Sequence, residues 1–246
     1  MNRLKDKVVI VTGGSGLLGR EFLKSINQEG GIAINADVNV EDDIENNQIQ
    51  IDVTSEDSIR EKIAMVHKHF GKIDGLVNNA YPRTKDWGAK FEDISFNSWE
   101  KNVSWQLNSY FSCIQHVAKF MRNQKHGSIV NISSIYGVIG PDFGVYKGTE
   151  MTMPAAYSAI KGGVNSLTRY LASYFGKDNV RVNCVSPGGI FDNQPKSFTD
   201  YYENKVPLNR MGNPDDIAPS VVFLLSEDAK YITGQNLIID GGWTSI

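Results

Sequence analysis

Tyr157 and Lys161 stand four residues apart in the run Tyr157-Ser158-Ala159-Ile160-Lys161. On a helix such positions share a face. A phenol ordinarily titrates near pH 10, too high for proton exchange at neutral pH, but a neighbouring ammonium stabilises the phenolate and lowers that value. The pair therefore predicts a Tyr157 that serves as acid or base on a substrate oxygen. The same spacing often marks nothing more than a solvated helix face. Its weight here comes from position: it follows Asn131-Ile132-Ser133-Ser134 and precedes Pro187-Gly188. A second pair, Tyr146-Lys147, lacks the spacing and reads as substrate-loop material.

The first apolar run ends in Thr12-Gly13-Gly14-Ser15-Gly16-Leu17-Leu18-Gly19 and passes into a helical pattern. Gly14, Gly16 and Gly19 match G-x-G-x-x-G in the context that gives the motif meaning, after a strand and opening a helix. Gly13, Ser15, Gly16, Leu17, Leu18 and Gly19 are thus candidate pyrophosphate contacts, since glycines admit close backbone approach and a helix N-terminus supplies free N–H groups. Asp37 follows Gly19 by 18 residues, at the end of the second strand. A carboxylate there accepts from ribose hydroxyls and repels a 2′-phosphate. Val38 to Asp43 contains no Arg or Lys. The reading is NAD over NADP. Asp52-Val53 closes the third predicted strand, where Asp52 is placed to meet the adenine amino group. Asn79 and Ala80, closing the fourth, line the cofactor.

These groups need a frame. Val8 to Val11, Ile32 to Ala36, Ile49 to Val53, Ile73 to Val77, Ser128 to Ile132, Val180 to Val185 and Leu237 to Ile239 are short, continuous apolar runs, as in strands buried on both faces. Helical periodicity covers 17–28, 55–70, 98–124, 155–175 and 214–226, the last with Asn213 as N-cap and Pro214 at its first position. The alternation predicts an α/β protein: one Rossmann-fold domain over 1–246, its doubly wound parallel sheet of seven strands covered by helices on both faces. Three stretches at strand ends, about 81–97, 135–154 and 188–212, are expected to form substrate loops, because ligands in such sheets bind beyond the carboxyl ends of the strands.

A net charge of −3 gives no general drive toward nucleic acid or anionic membrane. No apolar stretch is long enough to span a bilayer or resemble a signal peptide, so the expected location is cytoplasmic. Cys113 and Cys184 are isolated among apolar residues and read as buried free thiols. The four histidines have no metal-ligand spacing, and no metal is expected.

Together the glycine turn, Asp37, Asp52-Val53, Asn78-Asn79-Ala80, Asn131 to Ser134, Tyr157/Lys161, Pro187-Gly188, Ile232 to Gln235 and Asp240-Gly241-Gly242 resemble the short-chain dehydrogenase/reductase family over nearly the whole chain. The resemblance implies an NAD-dependent oxidoreductase. Hydride passes between nicotinamide and a hydroxyl or carbonyl carbon. Ser134 polarises the substrate oxygen, with Ser133 as second choice. Tyr157 transfers the proton, and Lys161 orients the nicotinamide ribose and tunes Tyr157. Ile190, after Pro187-Gly188, touches the carboxamide.

Three departures stand out. Gln106 occupies the position where the family carries a relay asparagine. Tyr81 replaces the glycine that usually follows Asn-Asn-Ala. Ser134 and Tyr157 are 23 residues apart, which marks an insertion in the loop between them. The resemblance also implies a homodimer or homotetramer built on long paired helices.

Arg83, Lys85, Lys147 and Lys196 place cations at three strand-end loops, suited to a phosphate or carboxylate. With Tyr81, Tyr146, Asn193 and Gln194 they describe a polar, anionic, sugar-like small molecule. The segment Asn78 to Gly88 is similar to bacterial oxidoreductases of flagellin modification and acidic-sugar biosynthesis. Two alternatives stay open at this point: an epimerase or dehydratase that retains its NAD, and an inactive dinucleotide-binding scaffold.

Overall fold

A computed structural model describes residues 2–246. Strand β1 (Val8–Thr12) leads through the glycine turn into helix α1 (Leu17–Gln28), followed by β2 (Ile32–Asp37), β3 (Gln48–Gln50), α2 (Glu56–Phe70) and β4 (Gly75–Asn78). Next come α3 (Phe96–Val103), α4 (Ser109–Gln124), β5 (Gly127–Ile132), α5 (Ala155–Phe175), β6 (Val180–Pro187), α6 (Lys196–Glu203), α7 (Pro214–Leu225) and β7 (Asn236–Ile239). All seven strands are parallel, in the order β3-β2-β1-β4-β5-β6-β7.

The apolar runs are buried because both faces of the sheet are covered. Ile59, Ile63, Ile114, Val117, Met121 and Phe175 pack on one face. Phe22, Ile26, Ile217, Val221 and Leu225 pack on the other. Neighbours β2 and β4 lie on opposite sides of β1, so the chain reverses its winding there and leaves a crevice at the carboxyl ends of the strands. Asn213 and Asp216 form the capping box that starts α7, with Pro214 at its first turn.

Two expectations are corrected. The third strand ends at Gln50 rather than Val53. Asp52 instead folds back on its own chain, its Oδ1 accepting from the Thr54 N–H at 2.8 Å and the Thr54 hydroxyl at 2.7 Å. Such local bonds compete with a sheet ladder. The helix expected over 98–124 is also interrupted. A π-helical segment, Ser104–Asn108, separates α3 from α4, and the extra residue in that turn brings Gln106 fully inside. A further helix, α6, forms within the 188–212 stretch that reads as loop in sequence. Among the described residues no helix is long and apolar enough to cross a membrane. Both cysteines are buried and free.

Candidate active site

The glycine turn is tied to the end of β4 by one threonine and one asparagine. The Thr12 hydroxyl accepts from the N–H groups of Asn79 at 3.0 Å and Ala80 at 3.1 Å. The Asn79 amide donates to the carbonyls of Thr12 and Gly13, both at 3.1 Å. Gly13 has a φ of +65°, and a Cβ on it would lie 2.9 Å from the Ala80 Cα. A Cβ on Gly19 would come within 2.2 Å of the Gly13 carbonyl oxygen. Only glycine fits where α1 packs this closely on the turn. The N-cap of α1 is Gly16, which has no side chain to satisfy the first N–H groups. Those groups, from Leu17 onward, are available to an anion.

Asp37 is buried at the end of β2. Its Oδ2 accepts from the Ser15 N–H at 3.0 Å, and its Oδ1 from the Asn39 backbone at 2.9 Å and side chain at 3.1 Å. A carboxylate has roughly four lone-pair sites, so it retains capacity for ribose hydroxyls. Asn35 donates to the Ser15 hydroxyl at 3.2 Å and steadies the same corner. Arg20 adds a cation that the sequence reading omitted: its guanidinium donates to the Ser15 carbonyl at 2.9 Å. At the far end, the Gly188 N–H donates to the Ile239 carbonyl at 2.9 Å, and half-buried Ile190 pairs with Gly212. The uncapped helix start, the cradle too tight for a Cβ and the carboxylate at the second strand together fit a dinucleotide. Asp52 is exposed and already bonded to Thr54, while Val53 is half-buried. The strand that would have carried both toward adenine has ended.

Tyr157 and Lys161 lie on the first turns of α5, with Ser134 beyond the end of β5. The structure separates the two candidate serines. The Ser133 hydroxyl donates to the Lys161 carbonyl at 3.0 Å, which anchors β5 to α5. The Ser134 hydroxyl accepts from the Tyr136 N–H at 3.2 Å and lies near enough to the Tyr157 phenol to favour its ionised form. Lys161 is buried, and its ammonium donates to the Ile132 carbonyl at 2.7 Å. Its Nζ lies 5.5 Å from the centroid of the Tyr157 ring.

Burial acts on both members of the pair. Burial pushes the Tyr157 phenol up, opposed by the nearby Ser134 hydroxyl. The Lys161 ammonium is pushed down to about 8 by burial. Gln106 is buried beneath, and neither amide atom has a protein partner.

Next to the phenol, Tyr81, Trp87 and Tyr157 form a nearly orthogonal trio. Ring centroids are 5.5 Å apart for Tyr81 and Trp87, 5.7 Å for Tyr81 and Tyr157, and 6.2 Å for Trp87 and Tyr157. The Arg83 guanidinium stands 5.5 Å from the Tyr81 centroid. The loop that carries them is held by polar groups that sequence reading missed. Buried Asn102 accepts from the Thr84 N–H at 3.0 Å and donates to the Thr84 hydroxyl at 2.8 Å, while the Ser98 hydroxyl donates to Asp86 at 2.8 Å. Trp87 had a signal in sequence, an aromatic in a Pro- and Gly-rich stretch after a strand. Asn102 had none, since nothing local distinguishes it from other polar helix residues.

The remaining expected substrate residues are dispersed. Lys85, Lys147 and Asn193 are exposed. Lys196 is paired with Asp200 along α6 at 2.8 Å. The Gln194 side chain folds onto its own loop, accepting from the Asp192 N–H and donating to the Ile190 carbonyl. Tyr146 is buried, its ring 5.5 Å from Phe198. It packs the inserted loop onto α6 because a ring flanked by apolar neighbours is driven from water.

A family profile described as an enoyl-(acyl carrier protein) reductase matches residues 23–244. "Post-translational flagellin modification protein A" of Campylobacter coli is 36% identical, over 98% of this chain and 99% of its own length. A 7alpha-hydroxysteroid dehydrogenase of Bacteroides fragilis is 32% identical, over 99% and 96%. A short chain dehydrogenase of Leptospira borgpetersenii, crystallised with bound NAD+, superposes with a TM-score of 0.89 at 36% identity, covering 98% of this chain and 94% of its own. The ligand-free aldohexose dehydrogenase of Thermoplasma acidophilum gives 0.85 at 29% identity, covering 100% and 96%.

Proposed function

The chain belongs to the short-chain dehydrogenase/reductase family of nicotinamide-dependent oxidoreductases, and from that premise we propose that it transfers a hydride between NAD and a hydroxyl or carbonyl carbon of an anionic, sugar-like molecule. The observation that carries the substrate reading is Arg83, whose guanidinium stands at the Tyr81 ring beside the catalytic phenol. A cation there suits a carboxylate or phosphate on the substrate. The flanking rings of Tyr81 and Trp87 suit the C–H face of a sugar. A flagellin-modification relative and an aldohexose dehydrogenase among the similar proteins support the same direction. Asp37 supports NAD over NADP, since a buried carboxylate at the end of the second strand repels a 2′-phosphate.

When bound, the nicotinamide accepts or supplies the hydride. Tyr157 gives or takes the proton at its phenolic oxygen. Ser134 holds the substrate oxygen beside that phenol. Lys161, whose ammonium donates to the Ile132 carbonyl, places a positive charge behind it and would hold the nicotinamide ribose. Gln106, with its amide free of protein partners, is assigned the place of the family's relay amide. The reading includes a cytoplasmic location. It also includes a homodimer or homotetramer assembled on α4 and α5, supported by exposed Phe111, Tyr170 and Tyr174.

The test is NAD reduction over a panel of sugars, sugar phosphates and sugar acids. We expect turnover confined to anionic members, and a loss of about a thousandfold in Tyr157→Phe. Arg83→Ala should raise KM about tenfold for those substrates. An unchanged KM would remove the anionic-substrate reading, and equal turnover with NAD and NADP would remove the cofactor preference.

A further inference from the structure

We infer that Tyr202, on the substrate-side helix α6, is a positioning residue for the nicotinamide end of the cofactor. The inference rests on the dinucleotide reading of the site. The turn that leaves β6, Pro187-Gly188-Gly189-Ile190, has no side chain of its own at its two central positions. Main-chain bonds hold most of it. The Gly188 N–H donates to the Ile239 carbonyl at 2.9 Å, the Gly189 carbonyl accepts from the Gly212 N–H at 2.9 Å, and the Phe191 N–H donates to the Gly212 carbonyl at 2.8 Å. The Gly189 N–H differs. It donates to the phenolic oxygen of Tyr202 at 2.5 Å.

The ring lies directly against the glycine backbone. A Cβ on Gly189 would sit 2.6 Å from the Tyr202 Cζ, and one on Gly188 would sit 3.1 Å from its hydroxyl. Tyr202 is buried and held in turn on both sides. Its centroid is 4.5 Å from that of Trp243, with the planes 17° apart, and 5.8 Å from that of Phe198, at 29°. Two glycines without a preferred conformation would otherwise sample many backbone states. The stacked phenol selects one, and with it the position of Ile190.

The same helix is fastened to the inserted loop. Lys205, just beyond α6, is paired with Asp142, and Phe198 packs on Tyr146. The insertion, α6 and the chain end at Trp243 therefore form one packed body. That body meets the cofactor turn through the Tyr202 hydroxyl.

The geometry makes a selective prediction. NADH carries the nicotinamide ring, and ADP-ribose lacks it while filling the glycine-turn half of the site. Tyr202→Phe keeps the stacked ring and removes only the acceptor. Titrations of NADH and ADP-ribose against the wild type and this variant should show the NADH Kd raised about tenfold, with the ADP-ribose Kd within about twofold of the wild type. Equal weakening of both ligands would mean a general loss of structure and would overturn the inference, as would an unchanged NADH Kd. If Tyr202→Phe does not fold, Trp243→Leu loosens the stack without touching the turn. It should raise the NADH Kd about threefold and again spare ADP-ribose, and the same two outcomes overturn it. A wild type that binds ADP-ribose and NADH with equal affinity also counts against the inference. One that binds neither refutes the dinucleotide reading itself.

Discussion

The glycine-turn side of the crevice is shaped by backbone, and the Tyr157 side by rings. Around Gly13 to Gly19 the space is set by glycines and by main-chain groups bonded to Thr12, Asn79 and Asp37. Around Tyr157 it is set by Tyr81 and Trp87, and farther along by Tyr136, Tyr146, Phe198, Tyr202 and Trp243. The first arrangement has little tolerance, because backbone atoms have nowhere to retreat. The second can be re-cut by exchanging side chains that pack on one another. The cofactor side is thus suited to one ligand shape, and the substrate side to adjustment without disturbing it.

Gly19→Ala should give the largest effect. Its methyl would lie 2.2 Å from the Gly13 carbonyl oxygen, and overpacking there should cost about 1–3 kcal/mol of stability and weaken NADH about a hundredfold. Titration and thermal denaturation check both. An unimpaired variant would show that the turn has more room than the contrast allows.

Lys161 sits where the two sides meet, and its effect depends on pH. Burial lowers its folded value to about 8 from the ordinary 10.5. Between those values the unfolded chain binds a proton that the folded chain has released, so stability contributed at this site rises with pH across that interval. Below it the penalty for burying the charge is fully present. Relative to Lys161→Met, the wild type should therefore gain on the order of 3 kcal/mol between about pH 8 and 10.5 in denaturant unfolding. A constant difference would show that the ammonium is not penalised.

Asn102→Ala should act on the substrate side alone. It removes the bonds to Thr84 that hold the loop bearing Arg83 and Trp87. We expect KM for the substrate to rise about tenfold while the NADH Kd stays unchanged. A parallel loss of NADH binding would show that the two sides are not separable.

Much of this was readable in the chain before it folded. The strands and helices followed from the period and length of apolar runs, and α1 and α5 have the expected bounds because their patterns are strong and their ends well marked. The third strand was read too long, because Asp52 satisfies a neighbouring backbone group rather than the ladder. The break at Ser104–Asn108 left no composition signal, since a π turn is stabilised by what it packs against.

By itself the sequence determined what depends on local chemistry: the glycines that a sharp turn and a close helix require, the four-residue spacing of Tyr157 and Lys161, and the carboxylate at the end of the second strand. The tertiary structure decided what depends on distant neighbours. It engaged the Ser133 hydroxyl with the Lys161 carbonyl. It buried Tyr146 and left Lys147 and Lys85 in solvent. Burial raised the Tyr157 phenol and lowered the Lys161 ammonium, and packing set Tyr202 against the turn that leaves β6. Desolvation and hydrogen-bond partnership are properties of a packed environment, and no short stretch of chain contains them.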